Sequence, residues 1–384
     1  MSFDSVFLRA VPFLLLALAI PAAFAADSIA YFGTYTKNKS KGIYAYRFHP
    51  ATGKFTEIGL VAETADPTWL AIHPSHRFLY AANEIGNYKG QKAGAITAYS
   101  LDSKTGKLTE LNQVSSRGDG PCHLTVDHTG KVLIVANYGG GSIASYPVKA
   151  DGSLGEAATF IQHSGTGGTP QHPSPPHGHS ATMSPDNRFV LVDDLGLDKV
   201  MVYKVDLGKA TLTPNDPPFA RTAAGAGPRH LAFSPNGKFV YNINELNSTV
   251  TVFAYDKPRG ALTEVQTLST LPADFHAQNS TAEIAVHANG RFVYGSNRGH
   301  NSIAVFAVDS ASGKLTLVEH VSSQGKTPRS FEIAPGGGYM VVGNQDTDDA
   351  FVYKIDTATG KLTATGQKIE MGAPVCIKFT PGAP

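Results

Sequence analysis

Seven side chains between residues 177 and 329 could do chemistry together: His177, His179, Arg229, Glu245, Glu283, Arg298 and Arg329. They stand in the segments PPHGHS, GPRHLAF, NINEL, TAEIAV, SNRG and TPRSF. Three guanidinium groups on one site favour an anionic ligand, because the planar fork pairs bidentately with carboxylate or phosphate. A glutamate and an imidazole beside them can move a proton to or from water or a hydroxyl. The competing reading is a ring of Arg–Glu pairs that only plugs space, since structural ion pairs use the same residues. His177 and His179, at alternate positions of a strand, could be half a metal site. No complementary set with metal spacing accompanies them, and the arginines would repel a cation. No metal and no cofactor is expected.

What must gather residues so far apart is a repeat. In GPRHLAFSPNGKFVYNINELNSTVTVFAYD, from Gly227 to Asp256, three apolar-alternating runs rich in Val, Phe and Tyr are separated by turns. Such runs read as strands, and Asn236–Gly237 is a hairpin signal. A fourth run, ALTEVQTLST, follows. The unit recurs from Asp66, Gly120, Pro175, Thr281 and Thr327, commonly closing on a T-G-K-L-T turn. A period of roughly 45–55 residues suits propeller blades. The N-terminus offers three strands without an innermost one, and the C-terminal APVCIKFTP supplies it. The chain is therefore expected to be all-β: a seven-bladed β-propeller with four antiparallel strands per blade. The last strand joins the first blade, so that no sheet edge is left open.

In such a ring the innermost strands line a channel, and the loops feeding them meet at one mouth. One set of positions follows the blade-opening proline: Trp69, His123, His177 and His179, Arg229 and His230, Glu283, Arg329. A second set ends the second strand: Asn83–Glu84, Asn137–Tyr138, Asp193–Asp194, Asn244–Glu245, Asn297–Arg298, Asn344–Gln345. The scaffold repeats while these residues differ from blade to blade, as expected of a site grafted on a fold. His179, Glu245, Arg229 and Arg298 are the candidate catalytic residues. His177, Glu283, Arg329, Gln345 and Asp194 are the candidate substrate-binding residues. Asp193–Asp194 also reads as a strand end that orients the histidines, and the recurring Asn as a backbone cap. His73, His128 and His287 read as surface turn residues, and Trp69 as core. No G-x-S-x-G elbow, P-loop or dinucleotide fingerprint stands in a strand–turn–helix context.

The rest of the chain bounds the setting. Residues 1–25 hold Arg9, the apolar VPFLLLALAIPAAF and a small-residue site at Ala23–Phe24–Ala25, which reads as a signal peptide. As a membrane anchor the run is short and broken by Pro21. Residues 26–384 then form one domain, periplasmic or secreted, and a monomer is expected. With 32 basic and 31 acidic residues and no charge run, nothing points to nucleic acid. No further apolar run points to a membrane. Cys122 and Cys376 fall on innermost strands of non-neighbouring blades, so two buried free thiols are expected. Residues 164–176 (SGTGGTPQHPSPP) read as a long, potentially functional loop.

The segments PHGHS, GPRHLAFSPNGKFVYNINEL, AEIAVHANGRFVYGSNRGHNSIAVF and PRSFEIAPGG resemble those of the seven-bladed propeller lactonases. That family includes the propeller-type 6-phosphogluconolactonases and the carboxy-cis,cis-muconate cyclases. The resemblance runs from about Ile29 to Pro381. It implies metal-independent opening or closing of a lactone ring, with His179, Arg229, Glu245 and Arg298 at the family's site positions. The substrate expected is a small lactone, anionic or polyhydroxylated. Export argues for a lactone met outside the cytosol. A non-catalytic ligand- or protein-binding propeller and a muconate-type cycloisomerase are the alternatives.

Overall fold

The computed structural model describes residues 1–3, 26–37 and 39–380. The candidate signal peptide lies almost wholly outside the described residues. Seven four-stranded antiparallel sheets account for 28 of the strands. Blade 1 is composite: its innermost strand is Pro374–Phe379, paired to Ser28–Thr34, then Gly42–His49 and Lys54–Glu63. Blades 2 to 7 each follow the chain outward from an innermost strand: Pro67–Ile72, Pro121–Val126, Gly178–Met183, Pro228–Phe233, Thr281–Val286 and Pro328–Ile333.

Burial explains why the second strands read as near-continuous apolar runs. Phe239–Asn244 is buried at every position, as are its equivalents Phe78–Asn83, Val132–Asn137 and Phe292–Asn297. Each lies between two neighbouring blades, so both faces are covered. The outermost strands are only partly covered, as in Lys54–Glu63, where no position is fully buried. Blade-to-blade packing has a recurrent joint. The aromatic that opens the second strand seats against the turn glycine of the next blade: Phe78 on Gly152, Phe189 on Gly260, Phe239 on Gly313, Phe292 on Gly360. These glycines have positive φ, and a Cβ on any of them would fall within 3 Å of the ring.

Two local expectations need correction and two hold. The stretch 164–176 contains a two-stranded hairpin, Gly167–Thr169 with His172–Ser174. Buried Asp198 anchors it, accepting Gly168 N–H at 2.8 Å, and also holds Gly225 and Gly227 N–H. His287 is buried rather than a surface residue: its Nε2 meets the carbonyl of Gly337 in the next blade at 2.9 Å. His73 does the same to Gly130 O. The strand-end asparagines are fully buried and cap neighbouring backbone, as Asn297 Nδ2 does to Thr270 O and Asn344 Nδ2 to Ser323 O. Cys122 and Cys376 are free and buried.

Candidate active site at the channel mouth

A β-bulge in each innermost strand decides which side chains reach the mouth. In blades 2, 3, 4, 5 and 7 the register skips one residue near the strand start, between Pro228 and His230 for example, leaving Arg229 unpaired. Such an extra residue re-aims its side chain. The bulged residues include Cys122, His179, Arg229 and Arg329. The residue after each bulge resumes the pleat one layer deeper, as His123, His230 and Trp69 do. A second ring comes from the residue following each second strand: Tyr35, Glu84, Tyr138, Leu195, Glu245, Arg298 and Gln345.

Glu245 is the centre of the upper layer. Arg229 Nε donates to its Oε2 at 2.8 Å, and Arg298 Nη2 lies 2.9 Å from its Oε1. His179 Nε2 stands 3.9 Å from Oε2, close enough to feel the charge but beyond a hydrogen bond. Burial alone would raise the Glu245 pKa, but Arg229, Arg298 and Arg329 outweigh it, so the group stays ionised. His179 is pushed well below its ordinary 6.5, first by burial and then by Arg229, His230, Arg329 and Arg298. Burial and the neighbouring arginines bring Arg229 down to about 10, and it remains a cation at neutral pH. Arg329 donates to Tyr35 Oη at 3.3 Å, and Tyr35 in turn donates to the Glu84 carboxylate at 3.0 Å. Three guanidinium groups thus face two carboxylates, leaving positive charge in excess.

His177 sits at the rim, stacked on Tyr138 with ring centroids 4.6 Å apart. Its Nδ1 is 2.9 Å from Tyr138 O, and a carbonyl only accepts, so Nδ1 is the donor. The Cys122 thiol lies behind His179, donating to its carbonyl at 3.2 Å, and burial holds its pKa high.

Two candidates lie elsewhere than expected. Glu283 is in the deeper layer, because its register matches His230 and not Arg229. Its Oε1 is 3.1 Å from His230 Nδ1, beside His123 and the Trp69 ring that stacks on it. Arg229 Nη1 donates to His230 Nε2 at 3.2 Å, so His230 is pinned neutral with its proton on Nδ1 toward Glu283. Asp194 is wholly buried, because blade 4 runs one residue off the expected alignment. It pairs with Gly178 as Asn244 pairs with Pro228, so it fills the capping position and Leu195 the mouth position. Asp194 Oδ1 accepts His177 N–H at 2.9 Å, and Oδ2 meets His163 Nδ1 at 2.5 Å. The sequence reading also lacks Tyr35. Applying the strand-end rule to the first blade would have found it, but that blade is split between the two termini.

This fold and this arginine-rich mouth define a propeller enzyme of the lactonase class. The family model for the lactonase 7-bladed beta-propeller matches residues 29–379, and the chain belongs to that family. It is 37% identical over 351 residues to the 6-phosphogluconolactonase of Bacillus subtilis, covering 91% of this chain and 98% of that protein. It is 32% identical to the 6-phosphogluconolactonase of Cronobacter sakazakii, covering 82% and 88%. The solved structure of the periplasmic gluconolactonase of Pseudomonas aeruginosa superposes with a TM-score of 0.87 at 37% identity, covering 93% and 100%.

Proposed function

We propose that the protein hydrolyses the lactone of a sugar acid, without a metal, with His179 as the general base. One observation carries this reading: a buried imidazole held neutral lies beside a carboxylate held anionic by two arginines. A base must be unprotonated at working pH, and His179 meets that condition. Glu245 has both oxygens engaged and serves as the anchor for Arg229 and Arg298. Around it the donor set is cationic, which suits an anion and disfavours a dication.

The lactone carbonyl lies against Arg229 and Arg298, whose remaining N–H groups meet the oxyanion as it forms. Arg298 Nε is buried without a partner among the described residues, consistent with a donor awaiting an acceptor. His179 takes one proton from water as the oxygen attacks the carbonyl carbon. The imidazolium is stabilised by Glu245 at 3.9 Å. Collapse of the tetrahedral intermediate breaks the bond to the ring oxygen, which recovers the proton from His179. The product is the open hydroxy acid. His177 and Arg329 contact the substrate at the rim, while Asp194 and Glu283 position His177 and His230.

Export is part of the same proposal, supported by the apolar leader and by the periplasmic relative. The test uses the protein recovered from the periplasmic fraction, expected to begin at Ala26. Hydrolysis of glucono-1,5-lactone should persist in chelator and fall about 10²–10⁴-fold in His179→Asn. It should also fall in Glu245→Gln. Hydrolysis unchanged in His179→Asn would remove it as the base. Activity abolished by chelator would overturn the metal-free mechanism.

A further inference from the structure

A guanidinium group carries several N–H donors in a fixed plane, and the fold has committed most of those on Arg229. Nε donates to Glu245 Oε2 at 2.8 Å, and Nη1 donates to Ala282 O at 2.7 Å and to His230 Nε2 at 3.2 Å. Nη2 alone has no partner among the described residues. The His230 contact depends on a tautomer, because Nε2 accepts only while Nδ1 carries the proton. The His230 ring is packed edge-on against His179, His123 and Trp69, with centroids 5.1, 5.2 and 5.0 Å away, so its orientation is fixed. Its Nδ1 stands 3.1 Å from Glu283 Oε1, which also accepts Ile284 N–H at 3.1 Å. Burial pushes the Glu283 pKa upward. A proton taken there goes to Oε2, which is buried without a partner among the described residues, so Oε1 stays an acceptor in either charge state. Glu283 lines a separate cavity of about 250 Å³ below the mouth layer, with Trp69, His123, Glu332 and Lys378. None of His179, Arg229, Glu245 and Arg298 lines that cavity. Glu283 thus reaches the reaction site through His230.

We propose that Glu283 and His230 are positioning residues that aim Arg229 at the developing oxyanion. Glu283 holds His230 in the Nδ1–H tautomer, and His230 holds the guanidinium so that Nη2 is the nitrogen offered to the substrate. The opposite tautomer would set Nε2–H against Nη1–H, two donors face to face, and the guanidinium would turn away. A donor stabilises an oxyanion only when it is already aimed where the charge develops, so the loss falls on kcat. The proposal rests on the lactone-hydrolase reading and adds a second layer of residues that never touch the substrate.

The experiment follows kcat and KM for glucono-1,5-lactone in the wild type, Glu283→Gln and Glu283→Met. Gln keeps a carbonyl acceptor for Nδ1–H, whereas Met is of similar length and has none. Glu283→Met should lower kcat about tenfold or more with KM within about twofold, and Glu283→Gln should recover most of that loss. In an Arg229→Gln background Glu283→Met should cost less than about twofold further, since the residue it aims is gone. A residue that only supports the fold would cost the same factor in both backgrounds. Imidazole ¹⁵N NMR reads the tautomer without substrate, and the wild type should show His230 protonated on Nδ1. If Glu283→Met does not fold, that spectrum decides. His230 protonated on Nε2 in the wild type overturns the proposal. So does an unchanged kcat in Glu283→Met, an equal loss in Gln and Met, or an equal cost in both backgrounds, each leaving the hydrolase reading intact. No turnover of the lactone by the wild type overturns the hydrolase reading, and this role with it.

Discussion

At the scale of single residues, the proposed hydrolysis turns on keeping one imidazole neutral among cations. His179 is deprived of its proton first by burial, since an ion is costly away from water. The surrounding arginines then act in the same direction. The sign is therefore fixed: the base form dominates at pH 7, and protonation sets in only well below 6.5. The acid limb of kcat/KM should lie below that value, as a pH–rate profile would measure. Removing a cation should raise the pKa, so Arg229→Gln should move the limb upward as well as lowering the plateau. An unmoved limb would separate His179 from the titration that governs rate. Glu245 is shifted in the same direction, although for it burial opposes the shift and the arginines prevail. Its lowered pKa makes the stability it contributes complete above the ordinary carboxylate range, with loss as pH falls through its folded value below 4.5.

At the scale of elements, alternation and turn chemistry made the strands and blades legible, but the bulges were not. A pleat read straight from Pro228 would put Arg229 and His230 on opposite faces of one layer. The skipped register stacks them in two layers and lets them touch. No residue type marks such a bulge, so the sequence pattern puts Glu283 a layer too high. Asp194 was misplaced for a related reason, because Asp193–Asp194 looks like an Asn–Glu pair in sequence and is offset by one in register. The glycine joints were half legible: the T-G-K turn was plain, its aromatic partner was not. They can be tested in pairs. Gly313 has φ of 73° and a would-be Cβ 2.4 Å from the Phe239 ring, whereas Gly366 has φ of 80° and open space around it. Gly366→Ala should carry only the left-handed backbone cost, about 1–2 kcal/mol. Gly313→Ala should add overpacking of about 1–3 kcal/mol. Urea unfolding of both variants would measure the difference, and equal losses would deny the joint.

At the scale of the molecule, the mouth exists only while the ring is closed. Arg329 on blade 7 reaches Tyr35 on blade 1, and Tyr35 reaches Glu84 after the second strand of blade 2. What holds those three blades in register is the C-terminal strand Pro374–Phe379. It pairs with Ser28–Thr34 and is pinned by Thr380 and Ile29, whose backbone groups meet at 2.8 Å. Its side chains bind both neighbours: Cys376 Sγ accepts Leu70 N–H at 3.3 Å, and Lys378 pairs with Glu332 at 2.7 Å. Lys378 also lies over the Trp69 ring at 4.6 Å. Ending the chain at Gly372 would expose a strand edge and the buried faces of two blades. The loss is comparable with the whole stability of an ordinary domain, about 5–15 kcal/mol. The truncated protein should lose its cooperative melt and its lactone hydrolysis together. A circular permutant that links the C-terminal strand to Ser28 and opens the chain in the turn after Gln162 keeps every sheet pairing. It should recover both properties. If the truncated chain melts as the full one does, ring closure is decoration, and the Arg329–Tyr35–Glu84 contact must be held by the blades alone.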